Sequence, residues 1–316
     1  MSTGGPRIVF MGSPAFATPS LRALVAAGYD VAAVVTQPDR PAGRGGAMHA
    51  PDIKRAALDL GIDVILQPET LRDEAARQAL VALHPDVFVV AAYGKILPKS
   101  VLAIPRRGSL NVHASLLPRW RGASPIAAAI LAGDRETGVC IMELVAKMDA
   151  GPLVSCARAP IGLADTTGSL ELRLAELGAR VLLEALPGWL DGSLPATPQD
   201  EGFATYCRTL AKDDGWLRAA MTAAEAERAV RAYNPWPGAF VQYRGQRLAL
   251  WAAHLAQGAP GGVVGSLSTV GRLPSIAFAG GLLVLDEVQK PGGRRLTGQE
   301  FLNGERGRLE SAVVLA

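Results

Sequence analysis

Residues 108–125 read Gly-Ser-Leu-Asn-Val-His-Ala-Ser-Leu-Leu-Pro-Arg-Trp-Arg-Gly-Ala-Ser-Pro and contain the signals of a strand, a loop and a helix. Side chains alternate between the two faces of a strand, so Asn111 and His113 share one face. Pro118 has no N–H to donate to a sheet, and the strand should therefore end before it. Pro125, preceded by a serine, is typical of the first turn of a helix. The stretch predicts one strand–loop–helix unit.

The residues before this unit repeat the same alternation. Apolar runs and helical segments follow one another, and we predict strands at 7–12, 31–36, 63–66 and 86–93 and helices at 19–28, 51–60 and 69–83. The residues after it add a helix at 125–131, strands at 139–145 and from 153, and a helix at 167–190. Strands that alternate with helices indicate right-handed crossovers and parallel pairing. The sequence therefore predicts a doubly wound, Rossmann-like α/β domain with a mostly parallel sheet in residues 1–190.

The remaining residues have a different pattern. Residues 191–207 are rich in Gly and Pro and are interpreted as a linker. Residues 208–316 begin with an amphipathic helix at 222–233 and continue as short strands between glycine clusters, at 240–243, 247–252, 262–267, 275–278 and 282–288. Several short strands with glycine turns predict a small β-barrel of the oligonucleotide-binding type.

Charge is distributed unevenly between these two parts. The 316-residue chain is 49% hydrophobic and 19% charged, which excludes a disordered protein. Residues 1–205 hold 19 basic and 20 acidic side chains, whereas residues 206–316 hold 13 and 9. The net charge of +3 therefore arises from the second domain.

The cysteines and the apolar runs indicate the cellular compartment. Cys140, Cys156 and Cys207 are odd in number, widely separated and without a C-x-x-C pair, which argues against a disulfide framework and a zinc knuckle. No signal peptide is recognisable at the amino terminus, and the longest apolar runs are too short to span a bilayer. We expect a protein of the reducing cytoplasm with no membrane partner.

Two common cofactor sites are excluded by the motifs. The first strand is followed by Gly12-Ser13-Pro14-Ala15, without the further glycines that let a backbone approach a pyrophosphate, so a nicotinamide site is rejected. A G-x-x-x-x-G-K-[ST] phosphate loop is also absent from the sequence. The four histidines are too scattered to form a metal pair on one helix, and no metal is expected.

A candidate catalytic site lies at the end of the strand that carries His113. Ligands of open α/β sheets bind at the carboxyl ends of the strands. There, Asn111 and His113 on one face, with Asp149 in the turn after the next strand, could polarise a carbonyl group and handle one proton. Each residue also has an ordinary explanation, since His113 could be a hydrogen-bonded core residue and Asp149 suits a turn.

A second candidate feature is the long connection after the second predicted strand. Residues 37–50 exceed what a tight strand-to-helix connection needs, and long loops are often functional. Arg40 and Arg44 on this loop suit a phosphate-bearing partner, although a solvated connection fits the sequence equally well.

These residues resemble a known family. Asn111, His113, the segment Ser115–Pro118 and Asp149 match the 10-formyltetrahydrofolate-dependent formyltransferases, and the resemblance covers nearly the whole chain. Within the family, the chain is most similar to the members that formylate methionine on initiator tRNA. The motifs that carry this similarity are QPDRPAGRG at 37–45, AYGKILP at 92–98, residues 111–122, NPWPG at 234–238 and GRRLTGQEFLNG at 293–304.

The resemblance implies a reaction and a role for each catalytic residue. A formyl group moves from N10 of the folate to the α-amine of methionine esterified to initiator tRNA. Asn111 and His113 stabilise the oxyanion that develops on the formyl oxygen. Asp149 pairs with His113, favours its charged form and helps to relay the proton that leaves the amine.

The resemblance also implies the binding residues. The folate pterin lies between two loops that hold it mainly through backbone groups, and the residues concerned are Tyr93, Ile96, Ser115, Leu116, Leu117 and Pro118. Arg40 and Arg44 wedge into the acceptor stem of the tRNA, while residues 208–316 follow its backbone. The protein is expected to act as a monomer.

The sequence departs from the family pattern at two places, and three rival functions remain. Gly45-Gly46-Ala47 stands where lysines are common, and residues 213–216 differ at the domain junction.

A formyltransferase acting on a sugar nucleotide would share the catalytic residues but has no use for a loop that bears Arg40 and Arg44. A non-catalytic RNA-binding protein would not explain Asn111, His113 and Asp149 together. A formyltetrahydrofolate hydrolase would need neither the loop nor a basic domain.

Overall fold

The computed structural model describes residues 5–42, 47–256, 262–305, 309 and 311–316. The chain divides into two compact units. The first contains residues 1–125, 136–160 and 171–207, and the second contains residues 126–135, 161–170 and 208–316. The segment 191–207, which we interpreted as a linker, thus falls inside the first unit.

The strands of the first unit form one large sheet and two small ones. Their bounds are β1 (Arg7–Gly12), β2 (Asp30–Val35), β3 (Arg40–Ala42), β4 (Ala47–His49), β5 (Ile65–Leu66), β6 (Val87–Ala91), β7 (Ser109–His113), β8 (Arg121–Gly122), β9 (Glu136–Glu143), β10 (Leu153–Pro160) and β11 (Tyr206–Cys207). The large sheet has the order β10-β9-β7-β6-β1-β2-β5. Strands β5, β2, β1, β6 and β7 are parallel, and β9 and β10 are antiparallel additions at one edge. The predicted mostly parallel sheet is confirmed.

The helices follow the strands as the alternation predicted. They are α1 (Thr18–Ala26), α2 (Asp52–Asp59), α3 (Glu74–Ala82), α4 (Lys99–Leu102), α5 (Pro125–Ala132) and α6 (Thr167–Asp191). Helix α3 begins at Glu74, because residues 69–73 adopt turns instead of the first helical turn that we predicted. Strands β1 and β6 are buried on both faces, as central parallel strands require.

The second unit contains an antiparallel sheet, and in the sequence one helix precedes its strands and another follows them. Its elements are α7 (Ala223–Ala232), β12 (Ala239–Tyr243), β13 (Gln246–Leu255), β14 (Leu267–Val270), β15 (Leu273–Phe278), β16 (Gly281–Gln289), β17 (Arg295–Thr297) and α8 (Gly298–Gly304). The order is β12-β13-β16-β15-β14, with β17 also paired to β16. Our predicted strand at 262–267 is wrong. Gly265 occupies a turn at φ +83°, and the strand begins only at Leu267.

The carboxyl-terminal residues close this sheet into a barrel. Val314 exchanges backbone hydrogen bonds of 2.9 and 3.0 Å with Gln242 on the edge strand β12. On the other side, the N–H groups of Leu267 and Val313 donate to the carbonyls of Ser311 and Gly265 at 2.9 and 2.8 Å. Residues 311–316 therefore lie between β12 and the start of β14, the two outer strands of the sheet. This closure fits the predicted barrel.

The cysteine prediction is corrected by the hairpin of β9 and β10. Cys140 and Cys156 form a disulfide, with their Cα atoms 4.1 Å apart. They face each other directly in the antiparallel ladder, although they are 16 positions apart in sequence. The spacing test missed the pair because it looks for neighbours along the chain, not across a hairpin. Cys207 is the free cysteine, and burial raises the pKa of its thiol.

Candidate active site

Asn111 and His113 lie at the carboxyl end of β7, in the middle of the sheet. Asn111 pairs with Val90 of β6 on one side and Met142 of β9 on the other. The two side chains are 9% and 6% exposed, so both are held among packed neighbours. Because they are two residues apart on one strand, they project from the same face, as the alternation predicted.

The imidazole ring of His113 is oriented by a backbone carbonyl. Nε2 lies 3.1 Å from the carbonyl oxygen of Trp120. A carbonyl oxygen only accepts hydrogen bonds, so we assign a hydrogen to Nε2 and leave Nδ1 to exchange a proton. Nδ1 is 3.9 Å from Oδ2 of Asp149, which is an ion-pair distance but longer than a hydrogen bond.

Asp149 is brought to His113 by the connection between β9 and β10. Its backbone is left-handed, with φ +47°, a conformation that aspartate tolerates better than most side chains. Its Oδ2 accepts a 2.8 Å hydrogen bond from the N–H of Gly122. The structure therefore brings His113, on β7, together with Asp149, in the turn that follows the neighbouring strand β9.

The predicted folate-binding loop after β7 is stabilised by its own hydrogen bonds. The Ser115 hydroxyl donates to the Arg119 carbonyl at 2.6 Å, and the Ser115 N–H donates to the His113 carbonyl at 2.9 Å. Ser115 and Leu117 are buried, whereas Leu116 and Pro118 are partly exposed. The loop follows β7 directly, and the 92–98 loop follows β6, its parallel neighbour. Both loops thus lie at one edge of the sheet, where Ile96 is 77% exposed.

Tyr93 occupies a different position from Ile96. Its side chain is 2% exposed within the apolar core that contains Val9, Val35 and Phe88, and its hydroxyl has no hydrogen-bond partner among the described residues. Burial raises the pKa of Tyr93 to about 12. Its carbonyl accepts a 3.1 Å bond from Nε2 of Gln37. Tyr93 therefore anchors the 92–98 loop in the apolar core.

The long connection after β2 is a short β-hairpin of β3 and β4. Arg40 is exposed and pairs with His49 across this hairpin, whereas Arg44 lies outside the described residues. The base of the hairpin is anchored, because Asp39 accepts hydrogen bonds from Nζ of Lys54 at 2.8 and 2.9 Å and from Nε2 of Gln67 at 2.7 Å. Lys54, and then Gln67, lower the pKa of the Asp39 carboxyl. The sequence did not predict these two strands, since each has only three residues.

Three polar residues next to the site were missed by the sequence analysis. Arg121 is 0% exposed, and its guanidinium hydrogen-bonds Gln199 and Glu201 of the 191–207 segment. The hydrogen bond from Arg121, followed by that from Lys147, lowers the pKa of Glu201 from 4.5 to about 2. Glu201 is therefore ionised at neutral pH and balances the Arg121 charge. In the sequence, Arg121 lies in the predicted loop before α5, so no pattern indicated that it would be buried and would require acceptors from elsewhere.

The described residues contain no group of three His, Cys, Asp or Glu side chains that could hold a metal ion. They also contain no helix that is long and apolar enough to cross a membrane.

Comparison with known sequences identifies the family. A family model described as "Formyl transferase" matches residues 6–186, more than half of the chain. The chain belongs to the formyl transferase family. A second model, "Formyl transferase, C-terminal domain", matches residues 209–306 of this formyl transferase. The resemblance identified from the motifs is confirmed.

Named relatives of this formyl transferase are similar over almost the whole chain. The methionyl-tRNA formyltransferase of Methylococcus capsulatus is 48% identical over 297 residues, which span 94% of this chain and 96% of the relative. The methionyl-tRNA formyltransferase of a Roseiflexus species is 49% identical over 302 residues, with shares of 95% and 93%.

Solved structures share the fold of this formyl transferase at low identity. WlaRD, a sugar 3N-formyl transferase solved in the presence of dTDP and 5-N-formyl-THF, has a TM-score of 0.67 and 16% identity, and the match covers 92% of this chain and 99% of that chain. An N-formyltransferase from Helicobacter canadensis has a TM-score of 0.67 and 15% identity, with shares of 90% and 100%. At identities this low, the comparison supports a shared fold but gives no information on the substrate.

Proposed function

We propose that this enzyme transfers the formyl group of 10-formyltetrahydrofolate to the α-amine of methionine on initiator tRNA, giving N-formylmethionyl-tRNA for translation initiation. One observation carries the choice of acceptor. Relatives that are 48–49% identical along both domains are methionyl-tRNA formyltransferases, whereas the sugar formyltransferases share 15–16% of their residues.

The catalytic proposal assigns one role to each residue of the site. The amine nitrogen forms a bond to the formyl carbon, the bond from that carbon to N10 breaks, the amine loses a proton and N10 gains one. The Asn111 amide and Nδ1–H of charged His113 donate to the formyl oxygen as its negative charge develops. The Asp149 carboxylate, 3.9 Å from Nδ1, stabilises the charged ring and helps to relay the amine proton.

The two loops at the carboxyl ends of β6 and β7 suit the folate. The co-substrate supplies the formyl group and the leaving nitrogen. Its flat pterin needs apolar contact on its faces and backbone donors and acceptors along its edge. Exposed Ile96 can offer the first. The backbone groups of residues 115–118 are proposed to offer the second. We propose these loops, with Tyr93 beneath them, as the folate site.

The tRNA proposal rests on charge and on the β3–β4 hairpin. Residues 206–316 carry 13 basic and 9 acidic side chains, an excess that suits phosphate contacts. In the same unit, the Arg295 guanidinium lies 3.7 Å from the Trp251 ring centroid, and an arginine–aromatic pair of this kind offers a surface on which bases stack. The hairpin contributes exposed Arg40, and Arg44 by sequence. We propose that Arg40 and Arg44 position the acceptor end of the tRNA. We also propose that the enzyme acts as a monomer and works in the cytoplasm.

Replacing Arg40 and Arg44 with alanine should lower the turnover of methionyl-tRNA by about a hundred-fold, because a misplaced amine loses its alignment with the formyl carbon. Slow hydrolysis of the folate at the same site should survive, since the hairpin does not activate the formyl group. Both reactions are measured on the same preparation. The double variant Arg22→Ala/Arg72→Ala, which removes two exposed cations elsewhere in the first unit, controls for net charge. Equal loss of both reactions, or loss of neither, would exclude the proposed role.

The acceptor is tested by direct competition. The enzyme is mixed with 10-formyltetrahydrofolate and either methionyl-tRNA or an amino-sugar nucleotide, and the formylated product is identified by mass spectrometry. We expect formylated methionyl-tRNA alone. Formylation of the sugar nucleotide, or release of formate with neither acceptor modified, would replace the proposal with one of its rivals.

A further inference from the structure

Residues 197–207 run alongside the catalytic residues although the sequence indicated a linker. Strand β11 pairs in parallel with β8, matching Tyr206 to Arg121. Before it, Thr205 Oγ1 accepts a 2.9 Å hydrogen bond from the N–H of Trp120, the residue whose carbonyl orients His113. At the other end, Thr197 and Leu153 exchange backbone bonds of 2.7 and 2.8 Å. The segment therefore contacts both sides of the site.

Arg121 fixes this segment from inside the protein. A guanidinium has five N–H donors, and all five of Arg121 have partners. Two bonds, of 2.9 and 3.0 Å, reach Oε1 of Gln199, two of 3.0 and 3.2 Å reach the Glu201 carboxylate, and one of 3.2 Å reaches the Tyr206 hydroxyl. A buried charge that lost one of these partners would be strongly destabilised. The two bonds from Arg121 therefore hold Oε1 of Gln199 against the guanidinium group.

Gln199 transmits this placement to the Asp149 turn. Its Nε2 donates to the carbonyl of Asp149 at 2.9 Å and to the carbonyl of Gly151 at 2.6 Å. The orientation of the amide is unambiguous, because Oε1 meets donors on Arg121 while Nε2 meets two acceptors. One side chain thus holds two peptide groups of the turn and is itself held by a buried cation.

The Asp149 turn needs such support. Its left-handed backbone at φ +47° is sparsely populated for a residue with a side chain, and surrounding contacts must maintain it. The backbone conformation determines where the carboxylate points, and Oδ2 must meet both the Gly122 N–H at 2.8 Å and Nδ1 of His113 at 3.9 Å. A rotation of the Asp149 peptide group would move Oδ2 away from His113.

We propose that Gln199 is a positioning residue, which holds the Asp149 turn in its catalytic conformation and is fixed in place by Arg121. The inference rests on the proposed role of Asp149. Among the described residues, the hydrogen bonds of the Gln199 side chain go to Arg121, Asp149 and Gly151, so Gln199 acts through the turn. Glu201 keeps the Arg121 charge balanced without adding a pH-dependent step, because its pKa of about 2 keeps it ionised in the working range.

Two substitutions separate positioning from general stability. Gln199→Glu keeps the size and the contact with Arg121 but turns an acceptor toward the Asp149 and Gly151 carbonyls, and Gln199→Met removes both functions. We expect each to lower the single-turnover rate by about ten- to a hundred-fold, as an ångström of misplacement does. The KM for each substrate should stay near wild type, and so should the melting temperature of Gln199→Glu, which keeps an acceptor for Arg121. Gln199→Met leaves two donors of the buried Arg121 without an acceptor and should melt at a lower temperature, so all rates are compared well below both melting temperatures. Gln78→Met is the control, since exposed Gln78 donates to Glu74 on the same helix.

A double-mutant cycle with Asp149→Asn decides the mechanism. If Gln199 acts through Asp149, Gln199→Met should add almost nothing to the loss already caused by Asp149→Asn. The proposal would be overturned if the two losses multiply, if both Gln199 variants keep the wild-type rate, or if Gln78→Met shows an equal loss. If the wild-type enzyme formylates another amine in place of methionyl-tRNA, the proposed acceptor fails by itself. The cycle is then measured on that amine, and its outcome still decides the role of Gln199.

Discussion

Replacing His113 with alanine should lower the rate of formyl transfer by about a hundred- to a thousand-fold, the typical loss when one donor to a developing oxyanion is removed. Asn111→Ala should have a loss of the same order. Both donors act on charge that exists only in the transition state, so the affinity for methionyl-tRNA should change little. Single-turnover rates and tRNA binding are measured in parallel to separate the two effects.

The control for His113 is a histidine of the same unit outside the site. His84 is exposed and has φ +47°, so asparagine, which tolerates that backbone, replaces it. His84→Asn should retain the wild-type rate. A near-normal rate in His113→Ala would remove His113 from the mechanism, and a parallel loss of tRNA affinity would assign it to binding.

Asp149→Asn should lower the transfer rate by at least about a hundred-fold, in the range of general acid–base contributions. Asparagine tolerates φ +47°, and its amide oxygen can still accept from the Gly122 N–H. The fold and the turn are therefore kept while the negative charge beside His113 is lost. The rate is measured at saturating concentrations of both substrates, so that a change in affinity does not enter.

Asp191→Asn is the matched control for this variant. Asp191 is the last residue of α6, and its Oδ1 accepts a 2.8 Å hydrogen bond from the N–H of Ser193, two residues further on. The same charge is thus removed from a carboxylate that also accepts a backbone N–H, but that lies at the end of α6 and not in the Asp149 turn. Full activity of Asp149→Asn, or an equal loss in Asp191→Asn, would contradict the role of the Asp149 carboxylate.

The large sheet was predictable because its signals are local. Central strands such as β1 and β6 are continuous apolar runs, and the alternation with helices sets their parallel direction. The placement of Asn111 and His113 on one face followed from the two-residue period of a strand. The end of that strand was signalled by Pro118. These features need only a few consecutive residues.

The features that escaped prediction depend on residues far apart in sequence. Gln199 lies 50 positions from Asp149 and 78 from Arg121, and no periodicity connects them. The Gly- and Pro-rich composition of 191–207 describes an irregular backbone correctly but contains no information on what it contacts. Gly122 is a further example, since its ideal Cβ would stand 2.1 Å from the Cys207 carbonyl oxygen. Only the folded chain explains why glycine is needed there.

The closure of the barrel by residues 311–316 determines when the second unit can complete its fold. A ribosome synthesises the chain from the amino terminus, so β12 and β14 emerge before the segment that pairs with both. During that interval the two outer strands present open edges on which another nascent chain can add a strand. The first unit has no such dependence, because residues 7–207 contain every strand of its sheets. A chain that lacked residues 311–316 would therefore combine an active-site fold with an aggregation-prone, unclosed barrel.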